Sequence, residues 1–144
     1  MRDLTARGEA QARIAGAAIG MLGAGFEAAL FSPKVRARRT AELAAESWSE
    51  DQRALLSEYP PLAGHFSAAQ ALHVAAGLSA DGRLLLVGHE PDLSQIVGDL
   101  TGARADVKKG GLAVVRLEGA GGELAVLMRP RELALIAGVP VGRE

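Results

Sequence analysis

The run Leu84-Leu85-Leu86-Val87, closed by Gly88, constrains this chain more than any other stretch. Four apolar residues in a row, with no polar alternation, fit a strand covered on both faces, as inside a parallel sheet. Gly88 allows a sharp exit, and His89 follows. Glu90-Pro91-Asp92 then has the character of a helix start. Proline tolerates the first turn because its missing N–H has no intrahelical partner there, and acids suit the positive end of the helix dipole. Leu93, Ile96, Val97 and Leu100 recur at helical spacing. A strand, a histidine and a helix in that order place an imidazole outside the carboxyl end of a strand, where open α/β sheets bind ligands. The plain alternative is a surface histidine on a loop.

The rest of the chain supports that frame. Thr5 is a good N-cap, and Ala10, Ile14, Ala17, Ala18, Met21 and Leu22 form a small-residue apolar face that ends at Gly23 and Gly25. Ala28-Ala29-Leu30-Phe31, stopped by Ser32-Pro33, reads as a second buried strand. A helix is expected from Val35 to about Trp48. Asp51 to Gly64 is less regular: Leu55 and Leu56 pack, and Tyr59-Pro60-Pro61 forces extended structure. Ser67 caps a short helix through Ala76, closed by Gly77. The helix after the Leu84 strand ends at Thr101-Gly102. Leu112 to Leu117 and Leu124 to Met128, joined by Gly119-Ala120-Gly121-Gly122, form a hairpin signal, and Pro130 opens a last helix through about Ile136. This order predicts a three-layer α/β/α domain, its sheet mostly parallel with an antiparallel edge.

With 144 residues and no internal repeat or linker, a single domain over 1–144 is expected. A net charge of −1 gives no argument for nucleic acid or for an anionic membrane. The lack of cysteine excludes disulfides, thiolate zinc sites and cysteine nucleophiles, and fits a cytoplasmic protein. No apolar run reaches the roughly 18 residues of a membrane span, and no signal-like start is visible.

A second chemical stretch, Ser32-Pro33-Lys34-Val35-Arg36-Ala37-Arg38-Arg39-Thr40, also follows a strand and opens a helix. Free N–H groups and cations at a helix start suit an anion, phosphate above all. Only the first turn faces the strand ends, so Arg36 is better placed than Arg38 or Arg39, while Lys34 and Arg38 fit a solvated face. Arg36 and His89 together describe a phosphate pocket, with guanidinium for charge and imidazole for a hydrogen bond or proton transfer. There is no Walker-type loop, dinucleotide fingerprint or serine elbow. His73 reads as a packing or surface residue. His65 lies in a loop that could reach a pocket. Trp48 and Tyr59 read as packing groups, and Lys108-Lys109-Gly110-Gly111 as a solvated turn.

These residues resemble the histidine phosphatase superfamily (phosphoglycerate mutase-like), and within it the small SixA-type phosphohistidine phosphatases. Arg2-Asp3-Leu4-Thr5-Ala6-Arg7-Gly8 is similar to the family's R-P-L-T-x-x-G opening. The Ser32–Thr40 segment is similar to its S-P-x-x-R-A-x-x-T, in which the arginine binds phosphate, a role that falls to Arg36. Val87-Gly88-His89-Glu90-Pro91 is similar to its V-G-H-x-P, in which the histidine is the second catalytic one, a role that falls to His89. Lys108 to Ala113 is similar to the stretch leading into the family's late strand.

The family's Arg-His-Gly motif, which holds the nucleophile at the end of its first strand, is not in this sequence. Neither His65, His73 nor His89 fits that role by spacing. The resemblance implies that this strand is missing from an interior position beside the His89 strand. The expectation is a strand encoded upstream; the alternatives are a degenerate relative that binds phosphate without turnover, or a strand donated by another chain. The implied activity of the intact protein is phosphoryl hydrolysis through a phosphohistidine intermediate. Its partner would be a phosphorylated protein (phosphohistidine) or a small phosphorylated substrate. No metal or other cofactor is expected, since arginine and imidazole can supply the positive charge.

Overall fold

The computed structural model of the protein describes residues 4–22, 25–79, 82–90, 92–104, 106–108, 111–118 and 121–138. At its centre are three short parallel strands, β1 (Ala28–Phe31), β2 (Leu56–Glu58) and β3 (Leu84–Val87), in the order β2-β1-β3. Phe31 lies opposite Glu58 on one side and Val87 on the other, so the three carboxyl ends finish level. Side chains alternate between the two faces. Leu30 and Leu86 pack on a cluster of Leu62, Phe66, Ala71, Ile96 and Leu100, drawn mainly from α4 (Ala68–Ala75) and α5 (Asp92–Thr101). On the other face, Leu56, Leu85 and Phe26 pack on Ala44, Ala45 and Trp48, from α2 (Val35–Ala45) and the turn after it. Helices therefore cover both faces, as the Leu84 run requires.

α1 (Ala6–Met21) opens at Thr5, whose Oγ1 accepts the Gly8 N–H at 3.0 Å. It packs on α2 with backbones almost in contact: a Cβ built on Gly16 would sit 1.9 Å from the Ala44 carbonyl oxygen. Only glycine permits this approach. The Trp48 indole N–H donates to the Gly16 carbonyl at 3.0 Å and locks the crossing. Because α1 and Trp48 hold α2 in place, they also fix where Arg36 sits.

The last third forms a hairpin, β4 (Leu112–Glu118) with β5 (Gly121–Met128), bulged between Val114 and Val115, followed by α6 (Pro130–Ile136). The antiparallel strands make a sheet of their own, and among the described residues no strand pairs with the outer side of β3.

Several details differ from the sequence reading. All four β3 residues are half-buried rather than buried, and among the described residues no strand pairs with one edge of β3. The helix expected to reach Trp48 stops at Ala45. The chain turns there, and Ser49, accepting the Gln52 N–H, caps a separate short helix, α3 (Glu50–Ala54). Leu55 is exposed, whereas Leu56 enters β2, a strand too short for its pattern to be visible. Tyr59 is extended as expected, but Pro60–Ala63 wind into a 3-10 turn, a shape that proline's fixed φ also suits. The hairpin strands are longer than expected. Expectations resting on Arg2, Asp3, Gly23, Pro91, Lys109, Gly110, Gly119 and Ala120 fall outside the described residues.

Candidate active site at the carboxyl rim of the parallel sheet

Because β1 and β3 are adjacent, parallel and level, the segments that leave them start side by side. Ser32 leaves β1 and leads into α2; His89 leaves β3 and leads into α5. The Ser32 N–H donates to the Val87 carbonyl at 3.0 Å, extending the ladder one residue past β1. Its side chain is wholly buried, and Ser32 Oγ lies 2.8 Å from His89 Nε2. The Lys34 N–H donates to the same hydroxyl oxygen at 3.3 Å. In the tautomer that carries its proton on Nδ1, Nε2 accepts the Ser32 hydroxyl proton and Nδ1 is left as a donor. At the other end of the residue, the His89 carbonyl accepts the Leu93 N–H and begins α5.

The electrostatics are those of an anion site. The His89 pKa is lowered, first by burial, then by the charge of Lys34 and more weakly by that of Arg36; Asp92 pulls in the opposite direction. Two cations from α2's start are thus close enough to act on the imidazole, and His89 is neutral at pH 7. Arg36 is in α2's first turn and exposed. Arg38 is ion-paired with Glu58, and Arg39 reaches Glu9 at 3.4 Å and Glu42 at 4.0 Å. Among the described residues the side chains of Arg36 and Lys34 have no such partner. The first N–H groups of α2 have no capping side chain and face the same rim. The arrangement can hold a small tetrahedral anion by charge, backbone N–H and one imidazole N–H.

The structure thus brings together the two strand ends that carry Arg36 and His89. It also adds residues that sequence reasoning underweighted. Lys34, assigned to a solvated face, is exposed, but its charge reaches His89. Ser32 was read as a strand stop; a small polar residue between a buried strand and a Pro-led helix start was the available signal. Asp92, read as a dipole-matching acid, accepts the Phe66 N–H at 3.4 Å and lies 3.6 Å from His65 Nδ1. His65, 85% exposed, therefore stands at α5's first turn. His73 is exposed on α4. Trp48 and Tyr59 are packing groups, in edge-on contact with Phe26 and Phe66 at 4.9 and 6.0 Å. Lys108 is ion-paired with Asp106 at 2.7 Å, as a solvated turn would have it. Among the described residues there is no cluster of three potential metal ligands, and no helix is long and apolar enough to cross a membrane.

An α/β sheet with a basic helix start and a histidine at its carboxyl rim has the chemistry of an anion site, and comparison with known proteins adds to this. The sequence profile of the histidine phosphatase superfamily (branch 1) matches residues 2–59. Over that stretch the chain is similar to the superfamily. An uncharacterized protein of the cyanobacterium Picosynechococcus is 33% identical over 119 residues, 80% of this chain and 72% of that protein. Among solved structures, the protein histidine phosphatase SixA in complex with tungstate shares the fold with a TM-score of 0.77 at 20% identity, over 92% of this chain and 87% of that one. A protein of Agrobacterium tumefaciens assigned as a SixA-type phosphohistidine phosphatase has a TM-score of 0.72 at 18% identity, over 90% and 84% of the two chains. The fold is thus phosphoglycerate mutase-like.

Proposed function

We propose that this chain provides the phosphate-holding part of a phosphohistidine phosphatase, acting on a phosphorylated protein in the cytoplasm. The observation that carries the reading is the meeting of Arg36 and His89 on one sheet rim, with the imidazole pinned by buried Ser32. Arg36 takes two phosphoryl oxygens in its fork, and its charge counts most as charge spreads over them in the transition state. His89, neutral and held through Nε2, donates from Nδ1 to a further oxygen. The names of the structurally similar SixA proteins support a phosphohistidine substrate over an alkyl phosphate.

The reaction has two steps. A histidine nitrogen attacks phosphorus in line, forming one N–P bond as the substrate's N–P bond breaks, and the departing imidazole takes a proton. Water then displaces the enzyme's imidazole, giving inorganic phosphate. Imidazole leaves well enough that no dedicated acid is required. We place the attacking histidine outside the three histidines of this sequence, since none follows arginine and precedes glycine. The 144-residue chain by itself therefore has little or no turnover.

That same absence favours a second reading, a relative that binds a phosphorylated partner without hydrolysing it. A phosphohistidine peptide decides between them. In the first reading the chain binds the peptide and gains turnover once an Arg-His-Gly strand is restored by fusion. In the second the restored chain still binds and remains inactive. Failure of Arg36→Ala and His89→Ala to weaken peptide binding would sink both.

A further inference from the structure

Three chain segments leave the carboxyl ends of the parallel strands, and Ser32, Arg36 and His89 come from two of them. The third follows β2. The Tyr59 N–H donates to the Phe31 carbonyl at 2.8 Å, so this segment reaches the rim beside β1 before it turns. It then passes along the face opposite α2. Leu62 and Phe66, each 2% exposed, belong to the cluster that packs on Leu30 and Leu86, whereas α2 supplies the cluster on the other face. A Cβ built on Gly88 would lie 3.7 Å from Leu62 Cδ2, so the turn Pro60–Ala63 rests against the residue just before His89. The start of α2 and residues 60–66 therefore flank the rim from opposite faces.

His65 is held more firmly in this segment than its exposure suggests. Gly64 closes the turn before it, donating its N–H to the Pro61 carbonyl at 3.2 Å. Phe66 after it is buried in edge-on contact with Tyr59, and the Phe66 N–H donates to Asp92 Oδ2 at 3.4 Å. Ser67 then caps α4 in a reciprocal pair with Gln70. The backbone of His65 is thus tied on both sides, while its side chain is 85% exposed. Its Nδ1 faces Asp92 Oδ1 at 3.6 Å, and among the described residues its Nε2 has no partner. Asp92 is in α5's first turn and its charge acts on His89, so the His65 ring is turned toward the rim. A ring positioned in advance loses little freedom when a ligand covers it.

We propose that His65 is a specificity-determining residue, whose ring packs on the group that carries the phosphoryl and favours a phosphorylated imidazole over an alkyl phosphate. This role rests on the function proposed above and extends it past the phosphoryl group. Arg36, Lys34, the first N–H groups of α2 and His89 all act on phosphoryl oxygens, which every phosphate ester and phosphoramidate carries. They hold the ligand without telling one carrier from another. A ligand imidazole offers a flat π face to the His65 ring, and the aliphatic carbon of an alkyl phosphate offers none. Offset or edge-on aromatic pairing of that kind is worth roughly two- to tenfold in affinity.

The test titrates the 144-residue chain and its His65→Ala, His65→Phe and Arg36→Ala variants with inorganic phosphate, methyl phosphate and N-phosphoimidazole, followed by NMR. The unaltered chain should prefer phosphoimidazole to methyl phosphate by roughly two- to tenfold, with the His65 ring signals shifting only for phosphoimidazole. His65→Ala should erase the preference, and His65→Phe, which keeps a ring, should retain it. Both variants should fold as the unaltered chain does, because the side chain is exposed. The proposal is overturned if the unaltered chain binds the two ligands equally, if His65→Ala keeps the preference, if His65→Ala weakens inorganic phosphate as much as phosphoimidazole, or if His65→Phe loses the preference too. Absent binding of all three ligands, or binding indifferent to Arg36→Ala, removes the phosphatase reading and this role with it. Binding that needs Arg36 but shows no preference through His65 removes this role alone.

Discussion

Replacing Gly16 with alanine separates helix propensity from packing, because the two predict opposite signs. On propensity alone, Gly→Ala in a helix interior stabilises by about 1 kcal/mol. At Gly16, however, the new Cβ would lie 1.9 Å from the Ala44 oxygen and 2.4 Å from the Ala44 Cα and carbonyl carbon. An ordinary carbon–oxygen contact is about 3.3 Å, so α1 and α2 must part by roughly 1.4 Å. Overpacking of this kind costs about 1–3 kcal/mol. The Trp48–Gly16 hydrogen bond, 3.0 Å long, stretches with it and forfeits about 1 kcal/mol. Net destabilisation should be roughly 2 kcal/mol after the propensity gain, or about 4–8 °C in Tm for a chain this size. Gly20, on the same helix with nothing within 4 Å of its would-be Cβ, is the control; Gly20→Ala should stabilise by about 0.5–1 kcal/mol. Urea unfolding followed by circular dichroism reads both. A Gly16→Ala variant as stable as Gly20→Ala would refute the close helix crossing that sets the position of Arg36.

Other consequences are equally direct. Ser32→Ala removes the oxygen shared by His89 Nε2 and the Lys34 N–H; it should cost about 1–2 kcal/mol in urea unfolding and loosen phosphate binding several-fold. A neutral result in both assays would remove Ser32 from the site. Since the folded pKa of His89 lies below its ordinary 6.5, the unfolded chain binds the extra proton first as pH falls. His89's contribution to stability should therefore be intact above pH 6.5 and decline as pH drops from 6.5 toward the lowered value. His89→Gln should flatten that part of the stability profile, and an unchanged slope would contradict the assignment. A bound dianion should raise the His89 pKa, visible as a shifted imidazole titration by NMR. Trp48→Phe keeps the edge-on contact with Phe26 but loses the indole N–H, and should cost about 1 kcal/mol in the same unfolding assay.

Periodicity and punctuation carried much of this fold. The Leu84 run, the Thr5 and Ser67 caps, the Pro130 helix start and the Gly102 stop (φ +74°) each encode their element within a few residues, because the deciding forces are local. What could not be read was decided at a distance. Trp48 left the end of α2 because its indole reaches Gly16, 32 residues earlier in sequence. Leu56–Glu58 became a strand only because β1 offered an edge. The half-buried state of β3 depends on what lies beside it, which no feature of the run itself encodes. At the site, Arg36 and His89 could be chosen from their places after strands, since parallel neighbours must bring those places together. The Ser32 contact and the reach of Lys34 required the register of Phe31 with Val87, which only the folded chain sets.

The account stands most directly on one titration. Inorganic phosphate is added to the chain and to its Arg36→Ala and His89→Ala variants, with heat of binding and backbone NMR shifts followed together. The account predicts saturable binding, the largest shifts at Ser32, Lys34, Arg36 and His89, and affinity lower by at least about tenfold in each variant, the loss expected for one charge-assisted contact of about 1.5–3 kcal/mol. Phosphate binding that ignores both substitutions, or none at all, would contradict a phosphate site at this rim.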